Sequence, residues 1–427
     1  MKKILILGCG FVGLNAAKEL ADKKGIEVTV IDRKNYHLFQ PLLYQVATAG
    51  LSPADIATPV RSIFSNNRNI KTYKTEVKKI EIKENKVITT IGEFYFDYLI
   101  LGLGVKHYYF NNEQWEKHAP GLKTIEQATE IRRRILESFE RAEAEKDIDR
   151  KMKDLTFIVV GGGSTGVELS GAIGELSRFV FVKDFRNIDP KLARIILIEA
   201  GPRILPAFSE RLSARATRDL EALGVQVWTS RKVTNVKEDV VEIGQERIQA
   251  GTVLWAAGIK ACDLNQHLDS ELDAMGRVIV QPDLSLKNYA HVFVAGDQAH
   301  FKDEKHGLLP ANAPVALQQG KFVAQNILRE INGQERKDFK YFNKGQMATI
   351  GRRKAVLEMG KLRLKGFSAW LAWLFVHIFY LIGFKNKAFV LFYWAYSYLT
   401  FRKGARLIVN KEWRFYNKTE TDKTSTN

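Results

Sequence analysis

Apolar residues in this chain gather in short continuous runs, and glycine-rich turns and amphipathic segments follow two of these runs. Ile4–Leu7 leads into a glycine-rich turn and then into a helix-forming segment. Leu155–Val160 does the same farther along the chain. Short apolar runs bounded by glycine predict buried parallel strands, because the helices that alternate with them cover both faces of the sheet. The pattern therefore predicts an α/β protein with two strand–turn–helix units.

The first glycine-rich turn has the spacing of a dinucleotide-binding loop. Gly8, Gly10 and Gly13 form GxGxxG, and Asp32 ends the next predicted strand nineteen residues after Gly13. The glycines permit a tight turn, a close approach of backbone to pyrophosphate, and packing of helix on strand, while the acid can bind a ribose hydroxyl. The sequence therefore predicts a Rossmann-like domain here. We expect three flanking residues to contact the same nucleotide: Phe11, Val12 and Arg33.

A second loop of this kind lies near residue 160. Gly161, Gly163 and Gly166 repeat the pattern, and Glu199 ends the next long predicted strand, thirty-three residues after Gly166. A carboxylate at this place favours a free 2′-hydroxyl and repels a 2′-phosphate, so NADH is expected rather than NADPH. Arg203 lies nearby and is the one observation against that preference.

Two loops in one chain predict two bound dinucleotides, a tightly held flavin and a transient nicotinamide. Phe94–Gly104 is a predicted buried strand that closes the first site at Gly104, and Thr252–Ala261 brings Gly258 against the nicotinamide. Three predicted short antiparallel strands between the first loop and Phe94, one of which carries Val77 at the flavin site, are Ile70–Tyr73, Thr75–Ile82 and Lys86–Thr90. The predicted boundaries are 1–115 and 276–335 for the flavin domain, 116–275 for the NADH domain, and 336–427 for a membrane-association region.

Charge and cysteine content narrow the classes of partner. The net charge is +17, but no nucleic-acid-binding module is recognisable, so no nucleic-acid partner is expected. Seven Lys and Arg against one acid between Lys344 and Lys365 directly precede the most apolar part of the chain. A basic flank beside an apolar segment indicates a membrane interface. The two cysteines form no CxxC motif, no metal site is expected, and no signal or transit peptide is recognisable at the start.

Two aromatic segments follow the basic flank. Phe367–Phe384 and Ala388–Phe401 would span about 27 Å and about 21 Å as helices, against a hydrocarbon core of about 30 Å. Their Trp, Tyr and Phe side chains favour the headgroup boundary. Two helices lying on the membrane are therefore preferred to a span, and a dimer interface is the remaining alternative. The polar tail 417–427 has the composition of a disordered segment.

Particular segments carry a resemblance to a known family. VFVAGD, which ends at Asp297, resembles the flavin-disulfide-reductase-like superfamily, in which the aspartate contacts the flavin ribitol. Residues 31–53, 161–176 and 310–327 are similar to type II NADH dehydrogenases, the single-subunit, non-pumping NADH:quinone oxidoreductases. The resemblance implies FAD, NADH and a quinone, and two Rossmann-like domains in a glutathione-reductase-like arrangement plus a C-terminal helical membrane-anchoring region. It further implies peripheral, monotopic attachment to membrane lipid at the cytoplasmic face of the cell inner membrane, as a homodimer.

The same resemblance implies roles for individual residues. Glu168 would lie near the contact of flavin and nicotinamide and assist either proton movement or the positioning of quinone or nicotinamide, and Gln318 would be the second catalytic residue. The family's quinone motif, Ala-Gln-x-Ala-x-Gln, is met at Ala316 and Gln318, and Gln319 follows, but Pro314 replaces the first Gln.

Two other functions are compatible with the nucleotide-binding loops. A soluble-type NADH-dependent reductase of a protein electron carrier would share both loops but has no use for an apolar tail. A non-catalytic nucleotide-binding redox sensor would bind nucleotide without turnover. The redox cysteines of disulfide reductases, sulfide:quinone oxidoreductases and water-forming NADH oxidases have no counterpart here. His37 is expected either to face the flavin or to be a packed core histidine.

Overall fold

The computed structural model describes residues 1–400 and 403–409, so Phe401 and the polar tail lie outside the described residues. The chain begins with a unit built around a parallel sheet. Its elements in chain order are β1 (Lys2–Leu7), α1 (Phe11–Leu20), β2 (Ile26–Asp32), β3 (Tyr36–Leu38), α2 (Leu43–Ala47), α3 (Pro53–Ile56), β4 (Ala57–Pro59), α4 (Val60–Ile63), β5 (Ile70–Lys74), β6 (Val77–Glu81), β7 (Lys86–Thr89), β8 (Gly92–Tyr95), β9 (Tyr98–Leu101) and β10 (Val105–His107).

The first apolar run forms the middle strand of a sheet, as its composition predicts. Residues Ile4–Leu7 of β1 are buried and pair in parallel with β2 on one side and β9 on the other. A fully apolar strand needs cover on both faces, and α1 packs on one of them. The first glycine loop therefore follows directly from a buried, doubly paired strand.

Two predictions about the strands of this unit are wrong. Ile70–Tyr73 is not antiparallel: β5 pairs in parallel with β2 and forms an edge of the main sheet. Phe94–Gly104 is not one strand, because β8 ends at Tyr95 and β9 begins at Tyr98. The predicted strands Thr75–Ile82 and Lys86–Thr90 are antiparallel, as β6 and β7, and β8 is the third strand of their sheet. The alternating pattern alone does not distinguish an edge strand of a parallel sheet from a hairpin strand.

A second unit repeats the design around the second glycine loop. Its four-stranded parallel sheet has the order β13-β12-β11-β17, and an antiparallel sheet β14-β15-β16 lies beside it. Its elements in chain order are α5 (Ile125–Ala144), α6 (Ile148–Asp154), β11 (Thr156–Val160), α7 (Ser164–Glu175), β12 (Arg194–Ile198), α8 (Glu210–Glu221), β13 (Val225–Trp228), β14 (Asn235–Lys237), β15 (Val240–Ile243), β16 (Glu246–Gln249), β17 (Thr252–Trp255) and β18 (Ile259–Ala261).

The chain then returns to the first sheet and continues into a three-stranded antiparallel sheet and two aromatic helices. The remaining elements are β19 (Val278–Ile279), β20 (Val292–Val294), β21 (Ala299–His300), β22 (Lys302–Asp303), β23 (Gly307–Leu308), α9 (Ala313–Ile331), β24 (Gln346–Gly351), β25 (Lys354–Met359), β26 (Leu362–Lys365), α10 (Phe367–Tyr380) and α11 (Phe384–Thr400). Strand β20 pairs with β9, which completes the order β20-β9-β1-β2-β5.

Close backbone contacts hold these last elements against the two units. Helix α9 crosses α1 so closely that a Cβ on Gly320 would lie 2.4 Å from the Val12 carbonyl oxygen. Strand β24 approaches α7 in the same way, since a Cβ on Gly171 would lie 1.8 Å from the Ile350 carbonyl oxygen. The C-terminal helices share a hydrophobic core with the second unit through Trp373, Leu381 and Val390. Among the described residues, no helix is both long enough and apolar enough to cross a membrane.

Candidate functional site

The first glycine loop is shaped by the contacts that its glycines allow. Gly8 has φ +90°, and a Cβ there would lie 2.5 Å from the Gly102 carbonyl oxygen. A Cβ on Gly13 would lie 1.9 Å from the Gly8 carbonyl oxygen, whereas one on Gly10 would have nothing within 4 Å. Gly10 therefore leaves open space at the start of α1, where helix N–H groups suit an anion.

Asp32 braces this loop from the end of β2. Its carboxylate accepts hydrogen bonds from the backbone N–H groups of Cys9 at 2.6 Å and Lys34 at 2.7 Å. Burial raises the pKa of Asp32, and the two N–H donors act in the opposite direction. One acid thus fixes both the glycine loop after β1 and the turn after β2.

Most of the residues predicted to bind the flavin nucleotide surround one cavity of about 430 Å³. Gly13 is the exception, because it lies behind the loop against Gly8. We call this the first nucleotide cavity. The predicted residues in its wall are Gly8, Gly10, Phe11, Val12, Asp32, Arg33, Val77, Gly104 and Asp297, together with Ala316 from the predicted quinone motif.

Asp297 lies in the wall of this cavity, directly after Gly296, whose backbone N–H is bound by Gln319. Burial raises the pKa of Asp297, while Lys123 and Arg277 oppose the shift. The buried Gln319 accepts a hydrogen bond from the Gly296 N–H at 2.6 Å through Oε1. Gln319 therefore holds the turn that carries Asp297.

The second glycine loop repeats the geometry of the first. A Cβ on Gly166 would lie 1.8 Å from the Gly161 carbonyl oxygen, and Gly161 has φ +109°. Glu199 accepts hydrogen bonds from the N–H groups of Gly162 and Gly201, both at 2.6 Å. Gly163 leads into α7 with nothing near its Cβ position. The acid-braced turn is thus the same at both loops.

Arg203 and Gly258 lie beside this second loop in different ways. The Arg203 guanidinium donates to the carbonyl oxygens of Phe208 at 2.6 Å and Pro206 at 2.9 Å. It is therefore engaged in its own turn. Gly258 has φ +67°, and a Cβ there would lie 2.8 Å from the Tyr108 carbonyl oxygen, where the two units meet.

Glu168 lies on α7 beside the hairpin β24–β25. Its Oε1 accepts a hydrogen bond from the Thr349 N–H at 3.4 Å. Burial raises the pKa of Glu168 to about 8, and the Thr349 N–H opposes the shift. At neutral pH this carboxyl is therefore protonated, and it holds a proton inside the protein.

Glu168 lines a cavity of about 700 Å³ between α2, α7, the hairpin β24–β25 and the helices α10 and α11. We call it the interhelix cavity. Its walls are mainly aromatic and aliphatic, with a few polar groups. Aromatic residues of the C-terminal helices that line it are Trp370, Trp373, Trp394 and Tyr398. A mainly apolar cavity with few polar groups is the usual form of a site for an organic ligand.

Gln318 is not brought to Glu168. Its side-chain amide donates to the Phe342 and Pro314 carbonyl oxygens and accepts from the Phe342 N–H, each at 3.0 Å. It does not line the interhelix cavity. Sequence reasoning missed Thr349, Tyr44 and Gln45 beside Glu168. The segment that carries Tyr44 and Gln45 has a visible signal, its unusual density of aromatic residues and leucine.

His37 supports the first loop from within the core. It is buried, and its Nδ1 is 2.8 Å from the Cys9 carbonyl oxygen, so Nδ1 carries the hydrogen. Burial lowers the pKa of His37 to about 4, and the ring packs edge-on against Phe11. The side chain is therefore a neutral core histidine. Among the described residues, no group of three or more His, Cys, Asp or Glu could hold a metal ion.

Comparison with known proteins gives the family. Residues 2–320 match the pyridine nucleotide-disulphide oxidoreductase model. The chain is 40% identical to the type II NADH:quinone oxidoreductase Ndh of Mycobacterium tuberculosis over 96% of this chain and 91% of that protein. It is 33% identical to a type II NADH:quinone oxidoreductase of Staphylococcus aureus over 82% of this chain and 88% of that protein.

Solved structures share the fold. NDH2 of Plasmodium falciparum, in complex with NADH, superposes with a TM-score of 0.84 at 20% identity over 96% of this chain and 100% of that one. The sulfide:quinone oxidoreductase of Aquifex aeolicus gives 0.69 at 18% identity over 93% and 91%. The family resemblance inferred from the sequence is confirmed, and the carrier-reductase and sensor alternatives are set aside. The chain belongs to the type II NADH:quinone oxidoreductases, within the pyridine nucleotide-disulphide oxidoreductase family, and is an enzyme that oxidises NADH and reduces a quinone.

Proposed function

We propose that the chain carries out this reaction as an FAD enzyme at a membrane surface, with FAD in the first nucleotide cavity, NADH on the second loop and the quinone in the interhelix cavity. The observation that carries the proposal is the repetition of one acid-braced glycine loop in two units. Asp32 and Glu199 each accept a loop N–H at 2.6 Å. Each carboxylate oxygen keeps a lone pair for a ribose hydroxyl.

The first nucleotide cavity fits FAD by the chemistry of its walls. Gly10 leaves room at the start of α1 for a pyrophosphate, and Asp32 stands where a ribose would be bound. Asp297, carried on the turn that Gln319 holds, supplies a carboxyl for the ribitol chain. When bound, FAD supplies an acceptor for the hydride of NADH and a two-electron donor for the quinone.

Glu199 gives the second loop its preference for NADH. A carboxylate there accepts a bond from the 2′-hydroxyl and repels a 2′-phosphate. Arg203, which would favour NADPH, is held by the carbonyl oxygens of its own turn. Gly163 and Gly166 shape the loop, and Gly258 lets the chain pass close to Tyr108 where the nicotinamide end would lie.

Glu168 serves the quinone side of the reaction in this proposal. The overall change is NADH, one proton and quinone to NAD⁺ and quinol, so a proton must reach the quinone from the protein or solution. Glu168 lines the interhelix cavity and is protonated at neutral pH because its pKa is raised to about 8. Ala316 lines the first nucleotide cavity, and Gln318, two residues farther along α9, is bound to the backbone at Phe342.

The C-terminal helices attach the enzyme to lipid in this proposal, as a peripheral monotopic protein at the cytoplasmic face. Their outward side chains include Phe375 (72% exposed), Phe384 (88%), Phe392 (71%) and Leu399 (80%). Exposed apolar patches with a basic flank mark membrane surfaces. A quinone dissolved in the bilayer would then reach the interhelix cavity without crossing water. In this proposal the enzyme is also a homodimer and pumps no protons, as the family resemblance implies.

One preparation tests the proposal. The full chain, purified with lipid vesicles, should show a flavin absorption spectrum, oxidise NADH with a short-chain quinone, and co-sediment with anionic vesicles. In sealed vesicles, turnover should leave the internal pH unchanged. An active protein without a flavin spectrum would show that FAD is not the cofactor. A yellow, active enzyme that stays in the supernatant would show that it does not bind the vesicles. Light scattering of the purified enzyme measures the dimer.

A further inference from the structure

A row of three side chains joins α11 to the wall of the interhelix cavity. The Trp394 Nε1–H donates to Gln45 Oε1 at 2.8 Å, and the Gln45 Nε2–H donates to Tyr44 Oη at 3.0 Å. All three side chains line the cavity, as Glu168 does. The row therefore connects a helix with many outward aromatic residues to the wall that carries the buried acid.

The direction of these hydrogen bonds is fixed by chemistry. An indole N–H donates and cannot accept, so Gln45 must turn its oxygen toward Trp394. Its amide nitrogen then faces Tyr44 and donates to the hydroxyl oxygen. Tyr44 is thus an acceptor within the row, and its own hydrogen is available to another group. No described residue accepts that hydrogen.

Tyr44 is held in place and stays a donor. Its ring packs edge-on against Trp373 with centroids 6.5 Å apart, and the Thr48 hydroxyl donates to its backbone carbonyl at 2.9 Å. Burial raises the pKa of Tyr44 well above 10, and the Glu168 and Glu175 carboxyls act in the same direction. The hydroxyl is therefore protonated throughout the range in which the enzyme works.

We propose that Tyr44 donates a hydrogen bond to a carbonyl oxygen of the quinone in the interhelix cavity, and that Gln45 and Trp394 are positioning residues that set the direction of this bond. The inference rests on the quinone site proposed above. Tyr44 transfers no net proton: the hydride of NADH brings two electrons and one hydrogen, and the second proton comes from solution. A donor fixed at the carbonyl stabilises the negative charge that grows on this oxygen as electrons arrive.

The variant Tyr44→Phe tests the donor. It keeps the ring that packs on Trp373 and removes only the hydroxyl. We expect kcat/KM for a short-chain quinone to fall about tenfold, the usual worth of one hydrogen bond at a reacting group. NADH oxidation with ferricyanide, a one-electron acceptor that has no carbonyl to bind, should stay within twofold of wild type. Equal loss with both acceptors would assign Tyr44 to the fold and overturn the proposal.

The variant Gln45→Glu tests the direction of the row. A carboxylate of the same shape accepts from Trp394 and also from Tyr44, so it draws the Tyr44 hydrogen away from the substrate. We expect a loss of quinone kcat/KM similar to that of Tyr44→Phe, and a smaller loss for Trp394→Phe. The matched control is Gln249→Glu, the same substitution at an exposed position of β16, outside both cavities, which should keep wild-type quinone kinetics. Wild-type quinone kinetics in Gln45→Glu would overturn the proposal.

A third variant separates this inference from the quinone site on which it depends. Ala395 lines the interhelix cavity, and Ala395→Phe should fill part of it. If Ala395→Phe leaves quinone reduction unchanged, the quinone binds elsewhere and both proposals fail. If it impairs quinone reduction while Tyr44→Phe and Gln45→Glu do not, the cavity is the quinone site and only the donor role of Tyr44 is wrong.

Discussion

At the scale of single residues, the two glycine loops depend on a small number of irreplaceable contacts. Asp32 and Glu199 occupy equivalent places, each at the end of a parallel strand and each bonded to a loop N–H at 2.6 Å. Glycines 13 and 166 are equally matched, because a Cβ at either would press on the carbonyl oxygen of the loop's first glycine. Glu168 is the residue with a proton to give on the quinone side, because burial raises its pKa to about 8.

Replacing the Gly13 hydrogen by a methyl group should disturb the fold itself. In Gly13→Ala the new Cβ would meet the Gly8 carbonyl oxygen at 1.9 Å, so helix and loop must separate. We expect a loss of about 1–3 kcal/mol in the free energy of unfolding of the cofactor-free protein, measured by denaturant titration. Gly10→Ala, which meets no atom within 4 Å, is the control and should retain that stability. Equal stability of the two variants would contradict the prediction.

Glu199→Gln should change the choice of nicotinamide. The substitution removes the negative charge that repels a 2′-phosphate, so kcat/KM with NADPH should rise about tenfold relative to NADH. Steady-state assays with both nucleotides measure the ratio. Glu210→Gln, an exposed acid in the first turn of α8, should leave the ratio unchanged. An unaltered ratio in Glu199→Gln would show that this carboxylate does not meet the ribose.

Glu168 should produce a pH dependence that Glu168→Gln lacks. Its pKa is raised to about 8, so the carboxyl is protonated in the folded enzyme below that pH and loses its proton above it. Quinone reduction should therefore fall as pH rises through about 8 in the wild type, and the fall should disappear in Glu168→Gln. Because the folded pKa exceeds the unfolded one, the wild type also loses stability between about pH 4.5 and 8 relative to the variant. Parallel profiles in both proteins would contradict this.

At the scale of elements, α10 and α11 each have two faces with different surroundings. Ala369, Trp373 and His377 recur every four residues on α10 and are buried, whereas Phe375 and Phe379 point outward. Helix α11 buries Val390 and exposes most of its other apolar side chains. Each helix therefore packs against the enzyme through its buried side chains and exposes its other apolar side chains, which we call the outward stripe.

The outward stripe should govern attachment to lipid without supporting the fold. In the double variant Phe375→Ser with Phe392→Ser, the vesicle-bound fraction should fall at least about tenfold, since each phenyl ring contributes about 1.5–3 kcal/mol when removed from water. The thermal midpoint should change little, because both side chains are more than 70% exposed. Ile91→Ser, at an exposed turn of the first unit, is the control. Unchanged co-sedimentation would show that this stripe does not meet lipid.

At the scale of the whole molecule, one continuous core joins α2, α5, the second sheet and the C-terminal helices. The pairing of β10 with β18 and the return of β20 to the first sheet tie the two units together. The order of the units and both glycine loops were readable from the sequence, because they depend on local spacing. The row from Trp394 to Tyr44 was not, because it joins positions 349 and 350 residues apart and only the folded chain brings them together.

Removal of the C-terminal helices should therefore damage the entire enzyme. Deleting residues from 367 onward exposes the socket that Trp373, Leu381 and Val390 fill. We expect a lower thermal midpoint, a loss of activity with ferricyanide, and a larger loss with quinone, because the deletion also removes two walls of the interhelix cavity. The double variant with serine at 375 and 392 is the matched comparison, because it keeps the socket filled. A truncated enzyme with normal ferricyanide activity and a normal midpoint would contradict this prediction.

Carboxylates that brace their own loops have a kinetic consequence. Each turn already has its working shape before a nucleotide arrives, because Asp32 and Glu199 fix it from inside. Binding of a dinucleotide therefore costs the loop little conformational entropy, and its release restores little. At the Glu199 loop, spent coenzyme can therefore be exchanged for fresh NADH at every cycle without any rebuilding of the turn, while the Asp32 loop keeps its flavin bound.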